Sequence, residues 1–295
     1  MNRTGKIILL IAVCMIPVGA FLMALGIRFG GKTSWSIGLG KGMTPASQEV
    51  VSGEADLKDF DSLKVEVASV DVNITEGDSY RIEYTVRDGM EPEITEENGK
   101  LTVKQPASVG MSFNFDFNTN PNVYNITLPK GSGIDIDARS ASGEITIRDI
   151  NISGKVEASS GDITISGSEG KDLSVVTSSG EISCDSVEVK SAGFKASSGE
   201  IKLNDITADE VKCDTSSGDV KLKDSKVSDV DMEASSGEIE IELDGDEDDY
   251  SYDISASSGD IKVNGQKAEK RFEKDGGKGK IRVKTSSGDI KISVE

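Results

Sequence analysis

The residues of this sequence that could perform chemistry lie mainly in one short phrase that occurs eight times. The phrase has Ala or Thr, then Ser-Ser-Gly, then Asp or Glu, then Ile or Val, and its first copy, SASGEI, is degenerate. Serine hydroxyls and carboxylates serve as nucleophiles and general bases in many enzymes. Eight copies therefore indicate either a repeated site or a repeated structural corner. The glycines of the copies are Gly143, Gly161, Gly180, Gly199, Gly218, Gly237, Gly259 and Gly288.

The composition excludes several classes of site. The 295 residues include no histidine, so serine-histidine and cysteine-histidine nucleophiles are excluded. Cys14, Cys184 and Cys213 are odd in number and widely spaced, which argues against a disulfide framework and against zinc. We predict that they are small hydrophobic residues. Glycoside hydrolysis needs a close pair of carboxylates, whereas here they recur evenly. We predict a protein that is not an enzyme and binds no cofactor.

The acidic segment ELDGDEDDY, residues 242–250, is the one candidate metal loop. Asp244, Asp246 and Asp248 have the spacing that begins a calcium loop. However, the sixth position is Asp249 instead of glycine, and the twelfth is Ser255 instead of glutamate. We therefore predict a solvated acidic loop and no metal. The segment 262–284 that follows is basic, and the two segments could bind each other, an anionic wall polymer or a partner.

The carboxylates of the repeated phrase form a second candidate set. If the copies stack, neighbouring carboxylates repel by about 1 kcal/mol even in water. Lys202, Lys221, Lys262 and Lys291 follow their carboxylates by two residues and so share their face. We predict a surface lattice of opposite charges, with cation binding as the alternative. Asp and Glu replace each other within the phrase, which disfavours a metal. The carboxylates are Glu144, Asp162, Glu181, Glu200, Asp219, Glu238, Asp260 and Asp289.

The spacing of the phrase predicts a repeat architecture. Its glycines are 18, 19, 19, 19, 19, 22 and 29 residues apart, and apolar residues alternate with polar ones on both sides of each copy. Alternation indicates strands with one buried face, and a fixed period indicates units that bury their faces by stacking. We predict an all-β fold, a parallel β-solenoid with coils of about 19 residues over 131–295. An antiparallel meander is the alternative.

The region 57–130 is less regular but rich in strand patterns, and we predict that it is the N-terminal part or cap of the solenoid. Its segment MSFNFDF, residues 111–117, places Met111, Phe113, Phe115 and Phe117 on one face. That face is interpreted as packed within the cap, with an exposed aromatic contact patch as the alternative.

The N-terminal region predicts a membrane anchor. Residues 7–27 contain no charged residue and would span about 31 Å as a helix, which is enough for a bilayer. We predict a cytoplasmic N-terminus at 1–6, one transmembrane helix at 7–27 and a flexible, Gly/Ser/Thr-rich tether at 28–56. A cleaved signal peptide is the competing interpretation. Trp35 is expected at the membrane interface.

The N-terminal anchor, the segment VYNITLPKG at 123–131 and the repeated phrase together resemble the bacterial putative-adhesin family, a LiaG-like group of β-strand-repeat domains of unknown function. The similarity covers about residues 60–295. The resemblance implies a membrane-anchored, cell-surface β-solenoid, mostly from Gram-positive bacteria and sometimes linked to envelope-stress loci. It implies no catalytic residues.

These observations lead to two functional hypotheses. The first is a single-pass protein of the cell membrane whose extracellular solenoid acts in adhesion or in contacts with the envelope, with cell-wall polymers or a membrane protein as its partner. The second is an accessory subunit that modulates envelope-stress signalling through a membrane partner. The net charge of −19 disfavours nucleic acid, because binding it requires lysine and arginine to neutralise phosphates.

Overall fold

The computed structural model describes residues 35–38, 42–45, 49–106, 112–115 and 122–295. The predicted cytoplasmic N-terminus (1–6) and transmembrane helix (7–27), and with them Cys14, lie outside these ranges. Among the described residues no helix is long and apolar enough to cross a membrane.

The chain divides into two compact units. The described strands of the smaller unit are β1 (Trp35–Gly38), β2 (Gly42–Pro45) and β9 (Ser112–Phe115), which form an antiparallel sheet in the order β2-β1-β9. In its register Trp35 is opposite Phe115, and Ile37 is opposite Phe113. The sheet therefore joins the predicted interfacial tryptophan to the aromatic segment, whereas Met111 and Phe117 lie outside the described residues.

The larger unit contains all the other strands. Its first six are β3 (Val50–Asp56), β4 (Ser62–Val67), β5 (Asp71–Gly77), β6 (Arg81–Arg87), β7 (Glu93–Glu97) and β8 (Lys100–Lys104). The next eight are β10 (Val123–Pro129), β11 (Gly133–Ser140), β12 (Ile145–Arg148), β13 (Asn151–Ala158), β14 (Ile163–Thr177), β15 (Ile182–Ala196), β16 (Ile201–Thr215) and β17 (Val220–Ser236). The last are β18 (Ile239–Leu243), a 3-10 turn (Glu247–Asp249), β19 (Tyr250–Ser258), β20 (Ile261–Val263), β21 (Gln266–Ala268), β22 (Arg271–Lys274), β23 (Gly279–Ser287) and β24 (Ile290–Val294).

Each regular coil has three sides, because the in-out alternation is interrupted at fixed positions. In β15 the buried Cys184 is followed by two exposed residues and then by the buried Val187, so the chain must turn to keep Val187 in the core. Ser186 makes that turn with a positive φ of 54°, and Asp205 and Asp224 repeat it one and two coils later. Short polar residues tolerate this left-handed conformation by bonding locally. The Ser-Ser-Gly phrase makes another of the corners.

The coils stack in parallel and in register. Ile163, Ile182, Ile201 and Val220 are opposite one another on consecutive coils, so each aliphatic residue packs on its equivalent one strand spacing away, about 4.8 Å. The all-β prediction is confirmed, and the stacked strands form an open sheet of 21 strands, as in a β-solenoid. Cys184 and Cys213 are buried free thiols in this core. Burial raises the pKa of both thiols far above the usual range.

The stacking departs from sequence order at both ends, which the sequence pattern does not predict. The coil formed by β23 and β24, the last in the chain, lies between the coil of β17 and β18 and the coil of β19 and β20. The coil of β4 and β5, the first of the solenoid, likewise lies between β8 and β10 on one side and β11 and β12 on the other. The antiparallel strands β7 and β22 then cover the two edges.

Charge explains the position of the last coil. Lys280, Arg282 and Lys284 on β23 are in register with Asp229, Asp231 and Glu233 on β17. On its other side β23 places Arg282 opposite Asp253 of β19. If β19 stacked directly on β17 with the same alignment, Asp253 would lie opposite Asp231. Like charges directly opposite each other destabilise a strand pair, so the basic strand favours the observed order.

The predicted tether at 28–56 differs from the structure. Besides β1 and β2, its last seven residues form β3, which pairs with β6. Gly53 in β3 is covered by the Tyr84 side chain, and a Cβ at Gly53 would lie 2.3 Å from the Tyr84 hydroxyl oxygen. The glycine that suggested flexibility therefore provides space for a ring.

Glu66 on β4 gives a pH-dependent contribution to stability. Hydrogen bonds from Lys64 and Lys104 lower its pKa from 4.5 to about 2. A carboxylate with a lowered pKa stabilises the fold above its unfolded pKa, and the contribution is lost as pH falls toward the folded value. Because the ion pairs of Glu66 with the two lysines are partly exposed, we expect Glu66→Gln to lower the free energy of unfolding by about 1 kcal/mol at pH 7. Urea unfolding should show this cost disappear between pH 4.5 and 2; a cost unchanged at pH 2 would contradict the ion-pair origin.

Candidate functional site

The glycines of the repeated phrase lie where neighbouring coils approach most closely. A Cβ added to Gly199 would lie 1.7 Å from the carbonyl oxygen of Gly180, and one added to Gly180 would lie 1.9 Å from that of Gly161. All eight phrase glycines meet a carbonyl oxygen in this way, at 2.3 Å or less. Only Gly237, Gly259 and Gly288 have a positive φ. Glycine is therefore required by close packing of backbones more than by backbone freedom.

The hydroxyl groups at this corner close the bend. The Gly180 N–H donates to the Thr177 hydroxyl at 3.0 Å, and the Gly218 N–H donates to the Thr215 hydroxyl at 3.0 Å. Both threonines are buried, so neither can meet a substrate. The two serines that follow are exposed in nearly every copy, and their backbone N–H groups donate to the coil before, as Ser198 does to the carbonyl of Ser178.

The corner carboxylates have two distinct roles. Asp162 accepts a hydrogen bond from the backbone N–H of Glu181 at 2.7 Å, and Asp219 accepts one from that of Glu238 at 2.8 Å. The aspartates thus bond to the backbone of the next coil, and Asp289 does the same with Asp260. Asp and Glu are therefore not equivalent here, although the sequence suggested that they interchange freely.

Three of the four corner glutamates, whose side chains are one methylene longer, pair with lysines instead, whereas Glu144 accepts a hydrogen bond from the Thr146 hydroxyl. Glu200 contacts Lys221 at 2.7 Å and Lys202 at 3.1 Å, and Lys202 also contacts Glu181 at 2.8 Å. The hydrogen bond from Lys221, followed by that from Lys202, lowers the pKa of Glu200. Opposite charges thus alternate along this edge, in the arrangement expected of a surface ion-pair lattice.

Asp219 provides a test of the aspartate role. We expect Asp219→Ala to cost about 1 kcal/mol, because a charge-assisted bond to a backbone N–H is lost at a partly exposed position. Asp219→Asn keeps an acceptor oxygen and should cost less than half as much. Urea unfolding of the two variants gives the comparison. Equal costs for both would show that the charge, and not the acceptor, matters.

The three candidate calcium ligands do not converge. Asp246 caps the 3-10 turn by accepting from the Asp248 N–H at 3.0 Å, and Asp248 pairs with Lys274 at 2.9 Å. Asp244 lines a separate groove. Across the described ranges, no group of three or more carboxylates, cysteines or histidines has a geometry that could hold a metal ion.

The acidic and basic segments bind each other. Lys274 contacts Glu247 as well as Asp248, and the Asn264 side chain donates to Glu247 at 2.8 Å. Arg271 pairs with Asp253 of β19, which lies outside the acidic segment, at 3.5 Å. Of the three possibilities that the sequence left open for these segments, the structure shows mutual contact, which involves Lys274 and Asn264.

A groove on one side of the solenoid is a candidate site that sequence reasoning missed. Its volume is about 710 Å³, and it crosses six coil levels, from Asn151 to Tyr250, or roughly 24 Å at one strand spacing per level. The floor consists of apolar residues that are buried or half-buried, and the rims consist of exposed, charged ones. The floor residues are Gly170, Val189, Ala208 and Val227, and the charged rim residues are Glu169, Lys171, Glu188, Lys190, Asp209 and Lys226.

The groove has a signal in the sequence. The floor residues are 19 residues apart, and charged residues precede and follow most of them. The Tyr250 hydroxyl, which donates to the Val227 carbonyl at 2.8 Å, closes one end. The groove is open and mixed in charge, so it can accommodate an extended, polar chain and cannot enclose a small molecule.

The chain is similar to several solved structures. A putative adhesin from Bacteroides fragilis is 14% identical, with a TM-score of 0.54 over 83% of this chain and 98% of that chain. A putative cell adhesion protein from Clostridium sporogenes is 15% identical over 84% and 100% of the two chains, with a TM-score of 0.35. A putative lipid binding protein from Parabacteroides distasonis is 17% identical over 84% and 97%, with a TM-score of 0.42. Of these three, the Bacteroides fragilis structure has a TM-score above 0.5, and at 14% identity it shows a likeness of fold alone.

The family comparison agrees with the expectation from the repeated phrase. No functionally curated protein matches the sequence significantly. The family model described as Toastrack DUF4097 matches residues 60–293, which confirms the resemblance to a family of domains of unknown function over about residues 60–295. The match covers most of the chain, and the chain therefore belongs to the Toastrack DUF4097 family.

Proposed function

We propose that this protein is a non-enzymatic, single-pass protein of the cell membrane whose solenoid lies outside the cell and binds an extended partner during adhesion or contact with the envelope. The observation that carries the proposal is the open groove across six coils. A stack of coils is stiff, because each strand is bonded on both sides. It therefore presents the groove as one fixed surface, which suits a polymer or an extended peptide.

Two further observations support the proposal. The adhesin name of the Bacteroides fragilis neighbour is consistent with a surface role, although likeness at that identity concerns the fold. The uncharged run at 7–27 has the length of a membrane span, which would anchor the solenoid at its N-terminus. Most of the evenly spaced carboxylates bind the backbone of the next coil or lysines, and this use is structural.

Protease treatment of intact cells tests the location. We expect the repeat region to be digested from outside, while a cytoplasmic protein in the same cells remains intact. Protection of the repeat region until the cells are lysed would refute the extracellular location.

A second experiment tests the groove. Isolated cell walls of the producing bacterium are the probe, and the full-length protein is compared with Lys171→Glu/Lys190→Glu. The matched control is Lys155→Glu/Lys195→Glu, which changes the same charges on another side, where both lysines pair with acids. We expect the groove variant alone to lose most of its binding, and equal loss in both variants would refute the role of the groove.

The second candidate function is an accessory subunit that modulates envelope-stress signalling through a membrane partner. The small sheet favours it, because β1 begins eight residues after the predicted span and so places folded structure next to the anchor. Affinity purification of the full chain and of a chain without residues 1–32 separates the candidates. A membrane protein that is captured only with the anchor supports the accessory role.

A further inference from the structure

Three lysines lie side by side near the C-terminal end of the solenoid. Lys262 on β20 is in register with Lys291 on β24 and, on its other side, with Lys267 on β21. All three are exposed. Adjacent strands are about 4.8 Å apart, so the three backbone positions span about 10 Å. We refer to Lys291, Lys262 and Lys267 as the lysine triplet.

The triplet is unlike the other lysines in the same outward row. Lys202 and Lys221 are also in register with each other, but both pair with glutamates of the adjoining corner. In the triplet, Lys291 contacts Glu238, but within the part of the chain that the structure describes Lys262 and Lys267 form no ion pair. Like charges in register destabilise a strand pair, and no ion pair among the described residues offsets the repulsion between Lys262 and Lys267.

The surface beside the triplet is a depression of about 620 Å³ lined by Lys262, Lys291, Asn264 and the C-terminal residues. Two of its acidic residues, Glu240 and Glu242, share one ammonium partner, Lys223, at 3.1 and 3.4 Å. Glu295 is the remaining acid of the lining. The ammonium groups without an ion pair among the described residues here are those of Lys262, in the lining, and Lys267 beside it, and these two favour an anion.

The geometry also indicates the kind of anion. A row of charges about 10 Å long exceeds the size of one phosphate, so it fits a chain or an array of phosphates. The rest of the protein is strongly acidic, with a net charge of −19, and repels polyanions. Only a local basic surface can hold such a ligand. Lys270 and Lys278, which are also exposed and without an ion pair among the described residues, extend the basic character of this end.

We infer that the lysine triplet binds phosphate groups of an anionic polymer or of lipid headgroups. The inference rests on the proposed function, in which the solenoid contacts the envelope, and it names the chemistry recognised at one end of the molecule. The phosphates lie along the row, one or more per ammonium pair, and relieve the repulsion among the lysines. Binding weakens as salt is raised, because the contacts are exposed.

The test uses the full chain in phosphatidylcholine nanodiscs and two probes, inorganic polyphosphate and separate vesicles that contain phosphatidylglycerol. The variant is Lys262→Gln/Lys267→Gln. The control is Lys202→Gln/Lys221→Gln, which removes the same charge from paired lysines in the same row. We expect the triplet variant to lose about 10- to 30-fold in affinity at low salt and the control to lose less than about 3-fold.

The outcomes are distinct. Polyphosphate binding without vesicle binding identifies a free polymer as the source of the phosphates, and the reverse identifies lipid headgroups. No binding by the wild type, or equal losses in variant and control, overturns the inference. Removing the repulsion should leave the unfolding midpoint of the triplet variant unchanged or raised, so weaker binding is not a folding defect. Failure of the protease test would refute the extracellular location without affecting this result.

Discussion

Replacing Gly199 by alanine is expected to disrupt the stacking of the repeat coils. The added methyl group would lie 1.7 Å from the Gly180 carbonyl oxygen, and that oxygen belongs to the backbone, which cannot rotate away as a side chain can. Relief requires the coils to separate where they are bonded on both flanks. We expect a loss of about 3 kcal/mol or more, in the range of severe overpacking. The measurement is urea unfolding followed by circular dichroism.

Gly193 provides the matched control. It lies in the same coil, and a Cβ added there would meet nothing within 4 Å. Gly193→Ala should be neutral or slightly stabilising, because alanine restricts the unfolded chain. If Gly199→Ala were as stable as Gly193→Ala, the inference that the corner backbones approach too closely for a side chain would be refuted. If both variants lost stability, glycine would be needed for strand conformation instead.

Removal of the last coil is expected to unfold more than the deleted residues. In a solenoid that stacks in sequence order, each coil contacts only its neighbours, so a terminal coil can be deleted cleanly. Here, ending the chain at residue 278 removes β23 and β24 from between two other coils. The deleted residues include four aliphatic side chains that are at most 3% exposed, Ile281, Val283, Ile290 and Ile292. Their burial contributes about 6 kcal/mol to the stability of the fold. The coil of β19 and β20 then loses its parallel partner and keeps only the antiparallel strands β22 and β21.

Amide hydrogen exchange measures this effect. In the chain that ends at residue 278, we expect residues 250–274 to lose protection while β14, β15 and β16 keep theirs. A chain that ends at residue 244 serves as the control, because it removes the whole C-terminal assembly and should keep the same protected coils. Continued protection of 250–274 in the first chain would mean that β19 stacks directly on β17, and that the repulsion between Asp231 and Asp253 does not prevent this.

Much of the fold can be predicted from the sequence, because the same pattern of apolar residues and glycine occurs in every repeat. The 19-residue spacing of Gly161, Gly180, Gly199 and Gly218 sets the length of a coil, and the alternation around Ile182 and Ile201 sets its buried face. The burial of Cys184 and Cys213 follows from the same alternation. Each of these features depends either on residues close in sequence or on the 19-residue period, and both can be read directly from the sequence.

The order of the coils could not be predicted, because it depends on contacts across long separations. β23 follows β19 in the chain but lies between it and β17, and the in-register pairing of Asp231 with Arg282 joins residues 51 positions apart. Periodicity specifies that coils stack but does not specify which coil is next. The stacking order is set by charge complementarity between particular strands. It also requires a connection long enough for β23 to reach its position between β17 and β19.

The candidate sites depend on the same distinction. The sequence by itself determined that the repeated phrase is a corner, because its apolar residues and its glycine recur with the coil. Only the tertiary structure decided which carboxylates bond to backbone and which to lysine, since one methylene of side chain determines the reach to the neighbouring coil. It also placed Lys291 beside Lys262. Local pattern specifies which face a side chain occupies, whereas its neighbours across the sheet are set by the stacking order of distant segments.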